Sequence, residues 1–479
     1  MRIDGVDIEI SLAQIRAQLE QEKNLSPALR ASIEMMLMLF VVLLNRLGLN
    51  SRNSSKPPTS DPNRPRNKRS RSDRPSGGQP GHVGKTLRPV EEPDEIEVLK
   101  IDRRCLPKGR YTEVGFDTRQ VFDIDICRIV TEYRAQILEN ESGQRFVASF
   151  PEGVDKKVQY GSGLKAHAVY LSQYQLLPYQ RIQDYFADQL GIPLSDGSLV
   201  NFNREAFTRL EAFEAISKTA LVQAVSTHAD ETGVNVDGKR HWLHGLSNAG
   251  WTHYQVHAKR GQEAMDEIGI LPQYRGVLCH DHWKPYYRYQ DCTHALCNAH
   301  HLRELERAVE QDGQQWAEAM AQLLREINRA VEDAGGALPP AQASEYRQCY
   351  RKVLDEGQNE CPEPERPPDQ KTRGRLKRSK ARNLLARLIA YEDDVLRFMV
   401  DRHVPFTNNQ AENDIRMTKV QQKISGCFRS LEGAAMFCRI RGYLATCRKQ
   451  RVTASEALRM AFSGQLPPFA MTVVEDYAE

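Results

Sequence analysis

None of the ten cysteines stands in a CxxC pair. They are scattered, at 105, 127, 279, 292, 297, 349, 361, 427, 438 and 447, which excludes a dense disulfide scaffold and reads as reduced thiols in an intracellular protein. A long hydrophobic run is missing as well. The most apolar stretch, "MMLMLFVVLL" at 35–44, covers ten residues, whereas a membrane span needs about twenty. It reads as the apolar part of a helix that packs on a partner, a second copy of the chain included. The opening "MRIDGVDIEISLAQ" has acids where a secretory signal needs a basic start and an apolar run. Nor is there a large net charge. Lys and Arg number 66 against 63 Asp and Glu, leaving +3, so the total does not announce nucleic acid. With 40% hydrophobic and 27% charged residues, the 479-residue chain is expected to be soluble and globular, divided among about two to four domains.

What charge there is lies unevenly. Residues 50–92 read as a basic arm of Pro, Gly and Ser, with eight Lys/Arg against two Asp between Arg52 and Arg74. Such a segment cannot bury a core. It reads either as a solvated linker or as an arm lying on phosphates, with Arg64, Arg66, Lys68, Arg69 and Arg71 as the contacts. Ahead of it, residues 1–49 carry Leu, Ile and Val at helical spacing and read as a helical or short coiled-coil segment. After it, residues 93–158 read as a small β-rich region, with strands in "EIEVLKI", "QVFDIDICRIVTEYRAQIL" and "RFVASF". Residues 159–220 show helical periods broken at Pro178 and at "GIPLSDGS". That pattern fits a helix-turn-helix-like DNA reader and an ordinary helical bundle alike.

Residues 221–301 change period from helix to strand. "LVQAVSTHA" is a β-branched apolar run that ends at Asp230. Asp237-Gly238 is a two-residue hairpin signal. "WTHYQVHA" follows as a third strand, "GQEAMDEIGILPQY" as a helix, "GVLCHD" as a fourth strand ending at Asp281, and "THALCNA" as a fifth. Three meandering strands, a helix and a parallel fourth strand give the ribonuclease H-like order, in which the first and fourth strands are neighbours. Asp230 and Asp281, 51 positions apart, would then sit side by side at strand ends. Glu231 would face the other way, because successive strand residues alternate faces. His280 and His282 flank Asp281 and could suggest imidazole ligands of a transition metal. On a continuing strand, however, both point away from Asp281 and read as packing groups or as support for the metal-binding residues. The CxxH spacing of Cys297 and His300 reads as fold support, not as a zinc site.

Residues 302–403 read as a helical insertion, interrupted by the Pro-rich and then basic "CPEPERPPDQKTRGRLKRSKAR". The final segment, 404–479, opens with "VPFTNNQAENDIRMTKVQQKISG". Asn409-Gln-Ala-Glu412 fits a capping box, with Asn409 as N-cap and Glu412 reaching back to its N–H. The same Glu412 also completes a cluster of three carboxylates with Asp230 and Asp281. Bare carboxylates this close repel and raise one another's pKa. Mg²⁺, with Mn²⁺ as a substitute, relieves that, and two such ions serve phosphodiester displacement. Arg416, Lys419 and Lys423 follow on the face of Glu412 and are suited to flanking phosphates. The expected fold is therefore multidomain α+β: a ribonuclease H-like α/β catalytic core with an all-helical insertion, plus N-terminal helical and basic DNA-binding regions.

"HADETGVNVDGKRHWLHG", "GVLCHDHWKPY", "HALCNAHHLREL" and "NNQAENDIR" together resemble the DDE transposases of the insertion-sequence-66 family. "NSSKPPTSDP…GGQPGH" and "GLKAHAVYLSQYQLLPYQRIQDYFADQLGIPLSDGSL" resemble that family's N-terminal half, so the likeness spans roughly residues 30–465. It aligns Asp230, Asp281 and Glu412 with the catalytic, metal-binding triad. It implies cutting and joining at terminal inverted repeats and in target DNA with two divalent ions. It also implies a homo-oligomer, accessory proteins of the same element, and a bacterial, cytoplasmic, nucleoid-associated setting with no membrane. Two features depart from the family. Only Cys105 and Cys127 remain where paired zinc-binding CxxC motifs usually stand, so no structural zinc is expected, and Asn413 follows the glutamate where arginine is usual. A transposase-derived regulator without catalysis, or a nuclease that cuts without joining, are the alternatives.

Overall fold

The computed structural model describes residues 2–3, 6–22, 25–47, 87–364 and 376–475. Among them are sixteen α-helices, two short two-stranded ladders and one mixed five-stranded sheet. Strands β1 (Arg2–Ile3) and β2 (Val6–Asp7) precede helices α1 (Ile8–Gln21) and α2 (Pro27–Leu47). The apolar run predicted to meet a partner lies in α2, where Met35, Met36, Met38, Leu39, Phe40, Val42 and Leu43 are all exposed. No described helix is long and apolar enough to cross a membrane.

Contacts divide the chain into two units. The smaller holds the described residues of Arg66–Phe150 together with Tyr185–Pro193. Here the strand expectation is corrected. Only β3 (Ile137–Glu139) and β4 (Arg145–Val147) pair, as a hairpin, and "EIEVLKI" and most of the following stretch are not strands. A strand exists only where a neighbour takes its backbone bonds. None lines up with residues 95–101 or 120–136, and Ile96, Leu99, Val121, Ile124 and Ile129 stay exposed.

The larger unit carries the rest. Helices α3 (Ser162–Val169), α4 (Tyr179–Leu190, part of which belongs to the smaller unit), α5 (Asp196–Arg209) and α6 (Glu211–Val222) break at Pro178 and at 191–195, as the sequence predicts. The helix runs further than expected, so Leu221 and Val222 close α6 instead of opening a strand. The sheet is built from β5 (Ser226–Val236), β6 (Lys239–Ser247), β7 (Thr252–His257), β8 (Val277–His280) and β9 (Thr293–Leu296), in spatial order β7-β6-β5-β8-β9. The β5–β6 turn falls on Asp237 and Gly238, both at positive φ, 49° and 74°, as an Asp-Gly hairpin turn requires. Helix α7 (Gln262–Ile268) provides the crossover that returns the chain to β8, parallel to β5.

Helices α8 (Asn298–Asp312), α9 (Gln315–Asp333), α10 (Pro340–Glu360), α11 (Lys380–Ala390) and α12 (Glu392–Val400) follow, and cover the described part of the stretch expected to be a helical insertion. Their core, centred on Trp316, Met320, Tyr350 and Leu385, is continuous with Val277, Cys279, Ala295 and Leu296 of β8 and β9. The chain then returns to the sheet through α13 (Asn409–Ser425) and α14 (Leu431–Lys449), and ends in α15 (Ala454–Phe462) and α16 (Pro468–Glu475). One face of the sheet packs Val234, Val236, Leu243, Tyr254 and Val256 against Ile415, Phe437 and Cys438 of α13 and α14. The other packs Ala229, Leu246 and Leu278 under Met265, Ile268 and Tyr274.

Candidate active site

Two adjacent acids on β5 have opposite fates. Glu231 shares a face with Ala229, and there its side chain is 2% exposed and bound. Its Oε1 accepts from Arg260 Nε at 2.9 Å and its Oε2 from the Tyr286 hydroxyl at 2.6 Å. Asp230 points to the α13 face, in step with Val234 and Val236. Its Oδ1 accepts the Glu231 N–H at 2.8 Å, and its second oxygen has no partner among the described residues.

Asp230 is not at the end of β5, as the sequence suggested. β5 continues to Val236 because β6 pairs with it along its whole length. What ends near Asp230 is the parallel partner. β8 pairs Ser226 with Val277, Thr227 with Leu278 and His228 with Cys279. That constant offset of 51, carried two residues on, sets Asp230 opposite Asp281.

The turn after β8 aims Asp281. His282 sits at φ 69°, left-handed backbone that is uncommon for a residue with a side chain. Its N–H donates to His280 Nδ1 at 3.1 Å, and its ring packs edge-on to Tyr391 at 4.6 Å. His280 is fully buried and donates from Nε2 to His294 Nδ1 at 3.1 Å, while His294 Nε2 donates to Tyr289 O. The chain of bonds fixes both tautomers, and burial holds the His280 pKa well below its ordinary value. These contacts pack the histidine rings around the turn that carries Asp281. Asp281 Oδ1 accepts the Trp283 N–H at 3.1 Å, leaving its other oxygen without a described partner.

Glu412 arrives on the first turn of α13, a helix tied to β5 at both ends. At its start, Asn408 Nδ2 donates to Ala229 O at 2.8 Å and Asn408 Oδ1 meets His228 Nδ1 at 2.7 Å. Past its end, Phe428 N donates to Asn235 O, and Asp237 N to Phe428 O. The 17 residues of α13 span about 25 Å, close to the about 26 Å from His228 to Val236 along an extended strand. Gly245, the cross-strand partner of Asp230, lets the helix settle. A Cβ there would stand 3.0 Å from Ile415 Cγ1. Tyr254 OH adds a bond to Asp414 O, and Lys449 Nζ one to Asp414 Oδ2 at 2.8 Å.

The capping box does not form. The N-cap is Asn408, and its side chain is spent on β5 instead of the helix start. Glu412 Oε1 is buried without any hydrogen-bond partner. It lies 3.8 Å from His300 Nδ1 and 3.7 Å from an Arg303 guanidinium nitrogen.

Electrostatics join the three carboxylates. Asp230 is pushed up to about 8, first by burial, then by Glu231, Asp281 and Glu412. Glu231 is raised by its own burial, opposed by its bonds from Tyr286 and Arg260. The His300 ring is lowered by burial and Arg303, while Glu412 and Asp281 pull the other way. Asp281 and Glu412 both act on Asp230, whose carboxyl is raised first by burial and then by Glu231 and these neighbours. The orphaned Glu412 oxygen, with the two further oxygens without described partners, suits a hard divalent cation.

Of the basic residues, Arg416, Lys419 and Lys423 are exposed on α13. Lys419 Nζ donates to Gly233 O at 2.9 Å, so it is tied to β5. Arg64, Arg66, Lys68, Arg69 and Arg71 lie outside the described residues. Sequence reasoning missed Asn408, Arg303 and the closeness of Cys297 and His300 to Glu412. The Asn doublet and the CxxH spacing were visible signals, but neither says what it meets across the fold.

Residues 157–436, more than half of the chain, match the family described as Transposase IS66 family. The chain belongs to that family. It is a DNA-processing enzyme of transposition, and membership implies binding to DNA and use of a divalent metal. Residues 6–88 match a family of unknown function, DUF6444. None of the curated proteins compared matches the chain.

Proposed function

We propose that the chain is a DDE transposase with a ribonuclease H-like core that cuts and joins DNA at the terminal inverted repeats of an insertion sequence. The observation that carries this reading is the convergence on Asp230 of two charges from distant segments, Asp281 and Glu412, with Glu231 already occupied by Arg260 and Tyr286. Asp230, Asp281 and Glu412 would hold two Mg²⁺ ions, or Mn²⁺ in their place. When bound, such ions supply the charge that activates an attacking oxygen and offsets the leaving one. Asp230 gives up its proton on loading. The Asn408 tie and the Gly245 contact fix where Glu412 stands, and Arg416 and Lys423 bind flanking phosphates.

Water first breaks one P–O bond at the element end as its own forms, and the freed 3′-OH then does the same in target DNA. No covalent enzyme intermediate is needed. The apolar residues exposed along α2 support a homo-oligomer, and accessory proteins of the same element and a cytoplasmic, nucleoid-associated setting belong to the same reading. The test is a cleavage-and-joining assay on element-end DNA with Mg²⁺. Asp281→Asn should abolish cutting while end binding stays nearly intact. Cutting by that variant would remove Asp281 from the site. Binding that is indifferent to chelator, with no nicking, would make the protein a regulator, and nicks without joined products would make it a nuclease.

A further inference from the structure

Cys297, His300 and Glu412 come together at the edge of the carboxylate cluster. One donor atom from each lies within 4.8 Å of the other two. Cys297 and His300 occupy the start of α8, three residues apart and so on one side of the helix. Glu412 comes from the first turn of α13. His300 Nδ1 and Glu412 Oε1 are both buried, neither has a hydrogen-bond partner, and they stand 3.8 Å apart. That is too far for a hydrogen bond. It is near the spacing of two ligands on one tetrahedral ion, about 3.4 Å for bonds of about 2.0–2.1 Å. Cys297 Sγ accepts the backbone N–H of Asn408 at 3.1 Å, a donor that steadies a thiolate.

We infer that Cys297, His300 and Glu412 form a site for a thiophilic divalent cation, Zn²⁺ above all, that shares Glu412 with the carboxylate cluster. The donor set decides the class: thiolate and imidazole favour Zn²⁺, whereas Mg²⁺ wants oxygens. Three protein ligands leave a fourth position for water. An ion held here takes Glu412 away from Asp230 and Asp281, so Zn²⁺ opposes Mg²⁺-dependent cutting. The site stands on its own geometry, and only the inhibition rests on the proposed function.

Co²⁺ titrated into the metal-stripped full chain reads the site directly. A thiolate-to-cobalt charge-transfer absorption is expected, lost in Cys297→Ser and kept in Cys427→Ser, whose thiol is exposed. Zn²⁺ should bleach it and excess Mg²⁺ should not. Glu412→Gln should keep the absorption and weaken Co²⁺ binding about tenfold or more. This variant decides the matter if circular dichroism shows that Cys297→Ser does not fold. No absorption in folded wild type, survival of the absorption in Cys297→Ser, or unchanged affinity in Glu412→Gln overturns the site. A chain that gives this absorption yet cuts no DNA upholds the site and counts against the catalytic reading instead.

Discussion

Asn408 and His228, 180 positions apart, meet at 2.7 Å between Oδ1 and Nδ1. The Asn408 amide nitrogen already donates to Ala229 O, so its oxygen is the acceptor and His228 carries its proton on Nδ1. Both side chains are buried. Between them they join the strand that bears Asp230 to the helix that bears Glu412.

Asn408→Ala should therefore destabilise the protein by about 2–4 kcal/mol, since it leaves the His228 N–H and the Ala229 carbonyl buried and unpaired. Asn409→Ala, at an exposed position, should change stability by less than about 0.5 kcal/mol. A capping box would instead make Asn409 cost about 1 kcal/mol. Urea unfolding of the two variants separates these outcomes.

Gly245→Ala places a methyl 3.0 Å from the Ile415 side chain. Overpacking of this kind costs about 1–3 kcal/mol. The larger effect should be on catalysis, because a lifted α13 shifts Glu412 away from Asp230. A misplacement of about 1 Å costs about 100-fold in rate. Cutting rate measured beside thermal stability should show activity falling well before the fold does.

Lys449 Nζ is held by Asp414 Oδ2, Thr252 Oγ1 and the Asn248 carbonyl in a largely buried pocket. Lys449→Met should cost about 3–5 kcal/mol by stranding Asp414. Adding Asp414→Asn should recover part of that loss in a chemical denaturation series.

The pH dependence of the metal-free protein should carry the signature of Asp230, which is raised to about 8 by burial and by Glu231, Asp281 and Glu412. Folded protein then keeps a proton that the unfolded chain releases above about 4. The stability from this group is fully present below about 4, declines as pH rises, and is gone above about 8. Wild type should lose stability across that window more steeply than Asp230→Asn, and the variant should be the more stable of the two at pH 8. Below that pH, Mg²⁺ binding should release about one proton from Asp230. Calorimetry in buffers of different ionisation enthalpy measures it.

The parts of this architecture that were legible are those encoded locally. The Asp237-Gly238 turn, the alternation that sends Glu231 away from Asp230, and the breaks at Pro178 and 191–195 each need only a few neighbours to specify them. The 51-residue offset between Asp230 and Asp281 also emerges as register. What could not be read depends on distant partners. β5 outruns Asp230 because β6 continues beside it, while "EIEVLKI" has strand-like composition and no neighbour to pair with. Asn409 looks like the cap until Asn408 is found at the helix start with its side chain on His228 and Ala229. Cys297 and His300 look like ordinary residues at a helix start until α13 brings Glu412 against them.

The double anchorage of α13 on β5 gives the order of synthesis a meaning. Both aspartates and the whole helical insertion leave the ribosome before Glu412 and its Asn408 tie. A chain stopped or clipped within the insertion has two of the three carboxylates and nothing to clamp a third. On the proposed function such a fragment cannot cut, whatever DNA its earlier segments hold, and making α13 is what completes the site.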